Sequence, residues 1–217
     1  MKKIFYNKWT TILSLSLNVL TILVLTILVW TYPTKFLDKI YPNRKINIVM
    51  FGNSLTAGTD WIRQLNRIDV HNSGQGGFIT KQLRDVTRGF VIEHNPKICF
   101  VAGGINDVGF GCTANETFEN FKSIVETLKS NNIIPVLSLT VYQHDNLKSK
   151  NKIDSINVLV KKYAIENSID YFDLNENLSE NQSLKAEYTT DGTHLTKKAY
   201  KFWADEVKKV LKKYKIE

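Results

Sequence analysis

The sequence predicts an α/β domain, a three-layer parallel sheet with helices on both faces, preceded by one N-terminal transmembrane helix. Three observations carry this prediction. An uncharged stretch near the N-terminus is long enough to cross a bilayer. Behind it, short β-branched runs alternate with helix-length amphipathic ones, the order of parallel strands joined by helical crossovers. Segments rich in Gly and Asn follow the strands, at the end of the sheet where such folds bind ligands.

The first element is residues 12–30, ILSLSLNVLTILVLTILVW, which carry no charge. About 20 apolar residues in a helix cross a bilayer core. Trp9 and Tyr32 stand at its two ends, where amphipathic rings favour the headgroup region. Lys2, Lys3 and Lys8 precede it, as in a signal sequence. The run is long for a signal peptide and no small-x-small cleavage site follows. Residues 1–32 therefore read as an uncleaved signal anchor, with a cleaved signal peptide as the alternative. Lys35, Lys39, Arg44 and Lys45 on the far side nearly balance the N-terminal lysines, so charge does not set the orientation. An N-terminal anchor feeding one soluble domain usually exports it. The expectation is a single-pass protein of the cell membrane, of bacterial composition, with its domain outside the cytoplasm. Residues 33–44 form a linker and residues 45–217 the domain.

Composition excludes several classes. Of 217 residues, 43% are hydrophobic and 23% charged, which rules out a disordered chain. Two cysteines cannot build a disulfide scaffold, and no Cys/His cluster has zinc spacing. About five strand residues separate Cys99 from Cys112's loop, roughly 17 Å, so both thiols read as unpaired. The net charge of +8 comes mostly from 24 lysines, against 5 arginines. Eight of those lysines lie beyond Thr196, opposite Tyr200, Trp203, Val207, Val210, Leu211 and Tyr214 at three- and four-residue steps. That is one amphipathic helix with a solvated lysine face. Attraction to anionic lipid or envelope polymer is its second reading. No nucleic-acid motif is present, and none is expected as partner.

Within the domain, residues 45–51 (KINIVMF) are a buried strand ending at Gly52, and residues 68–71 a second short strand. A helix fits 80–93 and stops before Pro96. Residues 97–102 (KICFVA) are the third strand. Thr113 and Glu116 form a capping box for a helix to Ser130. Residues 133–139 and 169–173 are further strands, with a helix at 152–167 between them. The lysine-rich helix closes the chain.

Four segments then meet on one rim: Gly52-Asn53-Ser54, Asn72-Ser73-Gly74-Gln75-Gly76-Gly77, Gly103-Gly104-Ile105-Asn106-Asp107 and Asp191-Gly192-Thr193-His194. A serine hydroxyl becomes a nucleophile when a base removes its proton, and imidazole suits that task. Ser54 and His194 are the candidates, with Asp191 placed to hold the ring's tautomer. The N–H of Ser54, the N–H of Gly77 and the amide of Asn106 can form an oxyanion hole. Gly76 can replace Gly77 by a one-residue shift. The plainer readings are a helix cap for Ser54, a tight turn for the glycine run and a turn cap for Asn106. Ile79 stands where a dinucleotide fingerprint needs glycine. Asp107 reads as a structural turn residue. His71, His94 and His144 are rival bases, of which His144 has an adjacent Asp145. Phe78, Phe110 and Tyr142 either line the site or serve as ordinary packing.

The blocks FGNSLTAG, NSGQGG, GGIND and DGTHLT, in this order, resemble the SGNH or GDSL-type serine ester hydrolases over about residues 45–210. The resemblance implies a flavodoxin-like sheet, a triad of Ser54, His194 and Asp191, and an oxyanion hole of Ser54, Gly77 and Asn106. Asn53 replaces the family's usual aspartate at a position outside the triad. The implied activity is a membrane-anchored serine esterase cleaving short acyl esters, O-acetyl first, on envelope carbohydrate through an acyl-enzyme. No cofactor or metal is implied. An O-acyltransferase, a lipase or thioesterase for longer chains, and a non-catalytic binding module are the alternatives.

Overall fold

The computed structural model describes residues 8–31, 39–41 and 44–216, in two compact units, Met1–Arg44 and Lys45–Glu217. Lys2, Lys3, Tyr32, Lys35 and most of the 33–44 linker lie outside the described residues. In the first unit, α1 (Lys8–Thr31) is one uninterrupted helix, and Thr11–Leu28 is long and apolar enough to cross a membrane. Its hydroxyls turn back onto the helix. Ser16, Thr21 and Thr26 donate to the carbonyls of Ile12, Leu17 and Ile22 at 2.6, 2.8 and 2.8 Å, which satisfies these three hydroxyls within the helix.

The second unit is a five-stranded sheet of β1 (Ile48–Gly52), β2 (Val70–Gly74), β3 (Ile98–Ala102), β4 (Ile134–Ser138) and β5 (Asp170–Phe172). The strand order is β2-β1-β3-β4-β5 and every pair is parallel. Between them run α2 (Ser54–Ala57), α3 (Trp61–Leu65), α4 (Thr80–Phe90), α5 (Ile105–Gly109), α6 (Ala114–Ser130) and α7 (Leu147–Glu166), and α8 (Asn175–Leu178) follows β5. The last helix, α9, spans Lys197–Lys213. β1 and β3 are fully buried, as their unbroken apolar runs require. On one face Val49, Phe51, Cys99, Val101 and Leu137 pack in a cluster with Leu83, Phe121, Ile124, Leu128 and Ile156. Neighbouring residues point the other way, as the period of two demands. On that second side α9 meets α3, and Trp203 lies edge-on to Trp61 at 5.2 Å between centroids.

Several boundaries differ from the sequence expectation. The second strand is Val70–Gly74, not 68–71, because it pairs residue for residue with β1 from Ile48↔Val70 to Gly52↔Gly74. Its polar run is held by backbone pairing at the edge of the sheet, not by burial. The helix from Thr80 ends at Phe90 and a short 3-10 turn, Ile92–His94, carries the chain to Pro96. The helix placed at 152–167 starts at Leu147, because the Asn146 side chain accepts from the Ser149 N–H at 3.3 Å and caps it. The Thr113–Glu116 capping box is present, at 3.1 and 2.8 Å. A two-stranded hairpin, Ser179–Glu180 with Ser183–Leu184, has no counterpart in the sequence reading.

Candidate active site

Ser54 opens α2 immediately after β1. The helix sits so close over the sheet that glycine is required beneath it. A Cβ on Gly52 would stand 2.3 Å from Thr56 Oγ1 and 2.4 Å from the Ala102 carbonyl oxygen. One on Gly74 would stand 2.2 Å from the Ala57 nitrogen. The N-cap is Asn53, whose Oδ1 accepts from the Leu55 N–H at 3.0 Å. Capping therefore does not occupy Ser54. Its Oγ lies 3.1 Å from His194 Nε2.

His194 is positioned by the loop that carries it. Asp191 Oδ1 accepts from the backbone N–H groups of Thr193 and His194 at 2.9 and 2.8 Å, and Oδ2 lies 2.6 Å from His194 Nδ1. The His194 N–H above all, then the ring and the Thr193 N–H, hold the Asp191 carboxyl well below the ordinary carboxylate range. An ionised carboxylate only accepts hydrogen bonds, so Nδ1 carries the proton and Nε2 is left to accept from Ser54. Gly192, at φ +92, makes the tight turn between acid and base. The side chains of His194 and Asp191 are 48% and 52% exposed, so the pair faces an open rim, not a tunnel.

A brace that the sequence analysis did not anticipate holds this loop from behind. Gln143 Nε2 donates to Thr193 Oγ1 at 2.9 Å, and the His144 N–H donates to the Gly192 carbonyl at 2.8 Å. Both residues follow β4, so inspecting the end of that strand as closely as the others would have raised them.

The remaining oxyanion candidates lie on two adjoining segments. Gly77 has φ +79, whereas Gly76 does not enter the left-handed region. Among the described residues no acceptor pairs with the N–H of Ser54 or of Gly77. Asn106, in α5 behind Gly104 at φ +93, donates through Nδ2 to the Phe78 carbonyl at 2.9 Å. That bond ties the amide to the residue after Gly77 and leaves its second N–H hydrogen available. Asp107 is fully buried, accepting from the Thr80 N–H at 3.0 and 3.1 Å and from the Thr80 hydroxyl. It joins α5 to the start of α4, in the structural role expected of it.

The rival histidines are engaged elsewhere. His71 and His94 lie ring to ring at 4.0 Å, and His144 Nδ1 meets the Leu184 carbonyl at 2.7 Å. Phe110 stands 75% exposed, Phe78 packs against the core and the Tyr142 hydroxyl bonds Asp154. Cys99 and Cys112 are free thiols. Among the described residues no group of three or more His, Cys, Asp or Glu gathers at metal-binding distance.

A serine bonded to an imidazole at the strand ends of a parallel sheet is an arrangement suited to nucleophilic attack on an acyl group. The model of the GDSL-like lipase/acylhydrolase family matches residues 50–202, and the chain belongs to that family. Over 174 residues it is 29% identical to an N-acylneuraminate cytidylyltransferase of Streptococcus agalactiae serotype V, covering 76% of this chain and 40% of that protein. The chain thus spans about two fifths of the length of that relative. A GDSL-like lipase of Bacteroides thetaiotaomicron superposes with a TM-score of 0.73 at 24% identity, over 83% of this chain and 98% of that one. An acetyl xylan esterase superposes with a TM-score of 0.66 at 22% identity, over 76% of this chain and all of that one.

Proposed function

We propose that the enzyme is a membrane-anchored serine esterase that removes short acyl groups, O-acetyl foremost, from carbohydrate. The observation that carries the reading is the continuous chain of contacts from Ser54 Oγ to His194 Nε2 (3.1 Å) and from His194 Nδ1 to Asp191 Oδ2 (2.6 Å). Ser54 Oγ attacks the ester carbonyl as Nε2 takes its proton. The C–O bond to the leaving alcohol then breaks, and the imidazolium returns that proton to the departing oxygen. Water, deprotonated by the same nitrogen, releases the acid from the acyl-enzyme. Asp191 steadies the imidazolium. The N–H of Ser54, the N–H of Gly77 and the second amide hydrogen of Asn106 receive the oxyanion.

The open rim supports a bulky alcohol component and a short acyl group. A relative named for an N-acylneuraminate and a structural neighbour named for acetyl xylan both support a carbohydrate carrier. The apolar helix Lys8–Thr31 serves as the anchor and keeps the domain beside envelope polymers outside the cytoplasm. The test uses the full chain in a neutral detergent on p-nitrophenyl esters of rising acyl length and on acetylated xylo-oligosaccharide. Turnover is expected to fall steeply beyond acetate and to vanish in Ser54→Ala. Equal turnover by Ser54→Ala overturns the reading, and turnover that rises with acyl length moves it to lipids. Release of free acetate equal to the ester consumed separates hydrolysis from transfer to a second hydroxyl.

A further inference from the structure

A cavity of about 550 Å3 is lined by the segment that follows the Ser54 helix and by the residues on either side of His194 in the chain. One wall is formed by Gly58, Thr59, Asp60, Arg63 and Gln64, on the chain that leaves the nucleophile's helix. The other is formed by residues of the 190–201 stretch, which flanks His194 and enters α9. The two walls are locked together. The Tyr200 hydroxyl donates to the Leu55 carbonyl at 2.8 Å, and a Cβ on Gly58 would stand 2.2 Å from that same hydroxyl. The wall that carries Lys197 and Lys201 is therefore tied to the helix that Ser54 opens.

The lining carries a basic excess: Arg63, Lys197 and Lys201 against Asp60, the one carboxylate among the lining residues. Arg63 meets Asp60 at 3.5 Å. Elsewhere on α9, Lys198, Lys208, Lys209 and Lys213 each meet a carboxylate, on Glu187, Asp205, Glu206 and Asp170. No carboxylate among the described residues lies within 4.0 Å of Lys197 or Lys201. They are four residues apart, hence on one face of the helix, and both line the cavity. An uncompensated pair of ammonium groups beside a guanidinium is a match for an anion. The fork of Arg63 suits a carboxylate or phosphate in particular.

We propose that this cavity is a subsite for an anionic group, a carboxylate or a phosphate, carried by the sugar next to the scissile ester. The enzyme then selects acidic glycan esters over neutral ones. The assignment rests on Ser54 and His194 being the reacting pair, since it is their separation from the cavity that the substrate must span.

The experiment compares kcat/KM of the full chain in a neutral detergent on three acetylated substrates: a neutral xylo-oligosaccharide, an oligogalacturonide and a hexose phosphate. At about 0.05 M salt, at least one acidic substrate is expected to exceed the neutral one by about tenfold, through KM. About 0.5 M salt should erase most of that preference. Whichever acidic substrate gains identifies the anion as carboxylate or phosphate. The double variant Lys197→Ala/Lys201→Ala is expected to bring the ratio of acidic to neutral kcat/KM close to one. A ratio of one in the parent, or the same ratio in parent and variant, overturns the proposal. If the parent hydrolyses no ester, p-nitrophenyl acetate included, the esterase reading fails instead. The cavity is then judged by calorimetric titration with galacturonate and with inorganic phosphate. Binding that the double variant loses supports the subsite, and heat that is absent or unchanged by the variant overturns it.

Discussion

Asp107 offers a test of how the oxyanion segments are held. Its carboxyl group is fully buried and receives three donors: the Thr80 N–H, the Thr80 hydroxyl and, at 3.4 Å, the Thr117 hydroxyl. Truncation to alanine removes the acceptor without offering a substitute. The Thr117 hydroxyl already has a second acceptor in the Thr113 carbonyl at 3.0 Å, so it loses little. Among the described residues the two Thr80 donors have no acceptor other than Asp107, and Asn120 Nδ2 already donates to the same Oγ1 at 3.1 Å. Each buried donor left unmade costs about 1–3 kcal/mol, so Asp107→Ala should lose about 2–6 kcal/mol. With a urea slope of about 2 kcal/mol per molar, the unfolding midpoint should fall by about 1–3 M. The measurement is a urea titration followed by tryptophan fluorescence, with Thr117→Val as the comparison expected to move by well under 1 M. Turnover should fall as well under native conditions, because Asp107 adjoins Asn106 and clamps the helix that follows Gly77. An Asp107→Ala midpoint within about 0.3 M of the parent would refute this account of the clamp.

The other predictions bear on the reacting groups and their setting. Asp191→Asn leaves the loop's shape available but removes the group that fixes the tautomer of His194. Steady-state hydrolysis should drop by about 10^3 to 10^4, with the fold unchanged by circular dichroism. Gly74→Ala should displace α2 against the Ala57 nitrogen and lower both expression and turnover, whereas Gly76→Ala, which meets nothing within 4 Å, should change turnover less than twofold. Burial raises the Asp69 carboxyl, but hydrogen bonds from Arg67 and Asn47 outweigh it and hold the group below its ordinary value. A depressed carboxyl stabilises the fold above its unfolded value, near pH 4, and loses that contribution as pH falls through its folded value. Asp69→Asn should therefore flatten the loss of stability below about pH 4 in acid titrations, and an unchanged acid limb would count against the Arg67–Asp69–Asn47 cluster.

Local chemistry was readable from the sequence, and long-range support was not. Asp191 and His194 are three residues apart, so the turn that joins them is encoded in one short segment and needs no knowledge of the fold. The β1 and β3 runs announce themselves by unbroken apolar residues, and the residue after each strand follows from that. The register of β2 does not. His71, Asn72 and Ser73 have no alternation to place them, and only pairing with Ile48–Gly52 decides where the strand lies. Gln143 and Thr193 are 50 positions apart, so no sequence period links the brace to the loop it holds. The cavity lined by Arg63 and Lys201 is likewise made by two segments that meet only in the folded chain.

Ser54 makes the same distinction at a single residue. In sequence, Asn53 and Ser54 are equally able to cap the helix that follows, and a serine spent as a cap would hold its hydroxyl against the backbone. The geometry separates them. Asn53 lies 1% exposed with its Oδ1 on the Leu55 N–H, and Ser54, one position on, turns its hydroxyl to His194. The asparagine that departs from the family's usual aspartate thus supplies the capping oxygen that an aspartate would supply. Substitution there leaves the serine's freedom intact, because capping depends on an acceptor oxygen at that position and not on its charge.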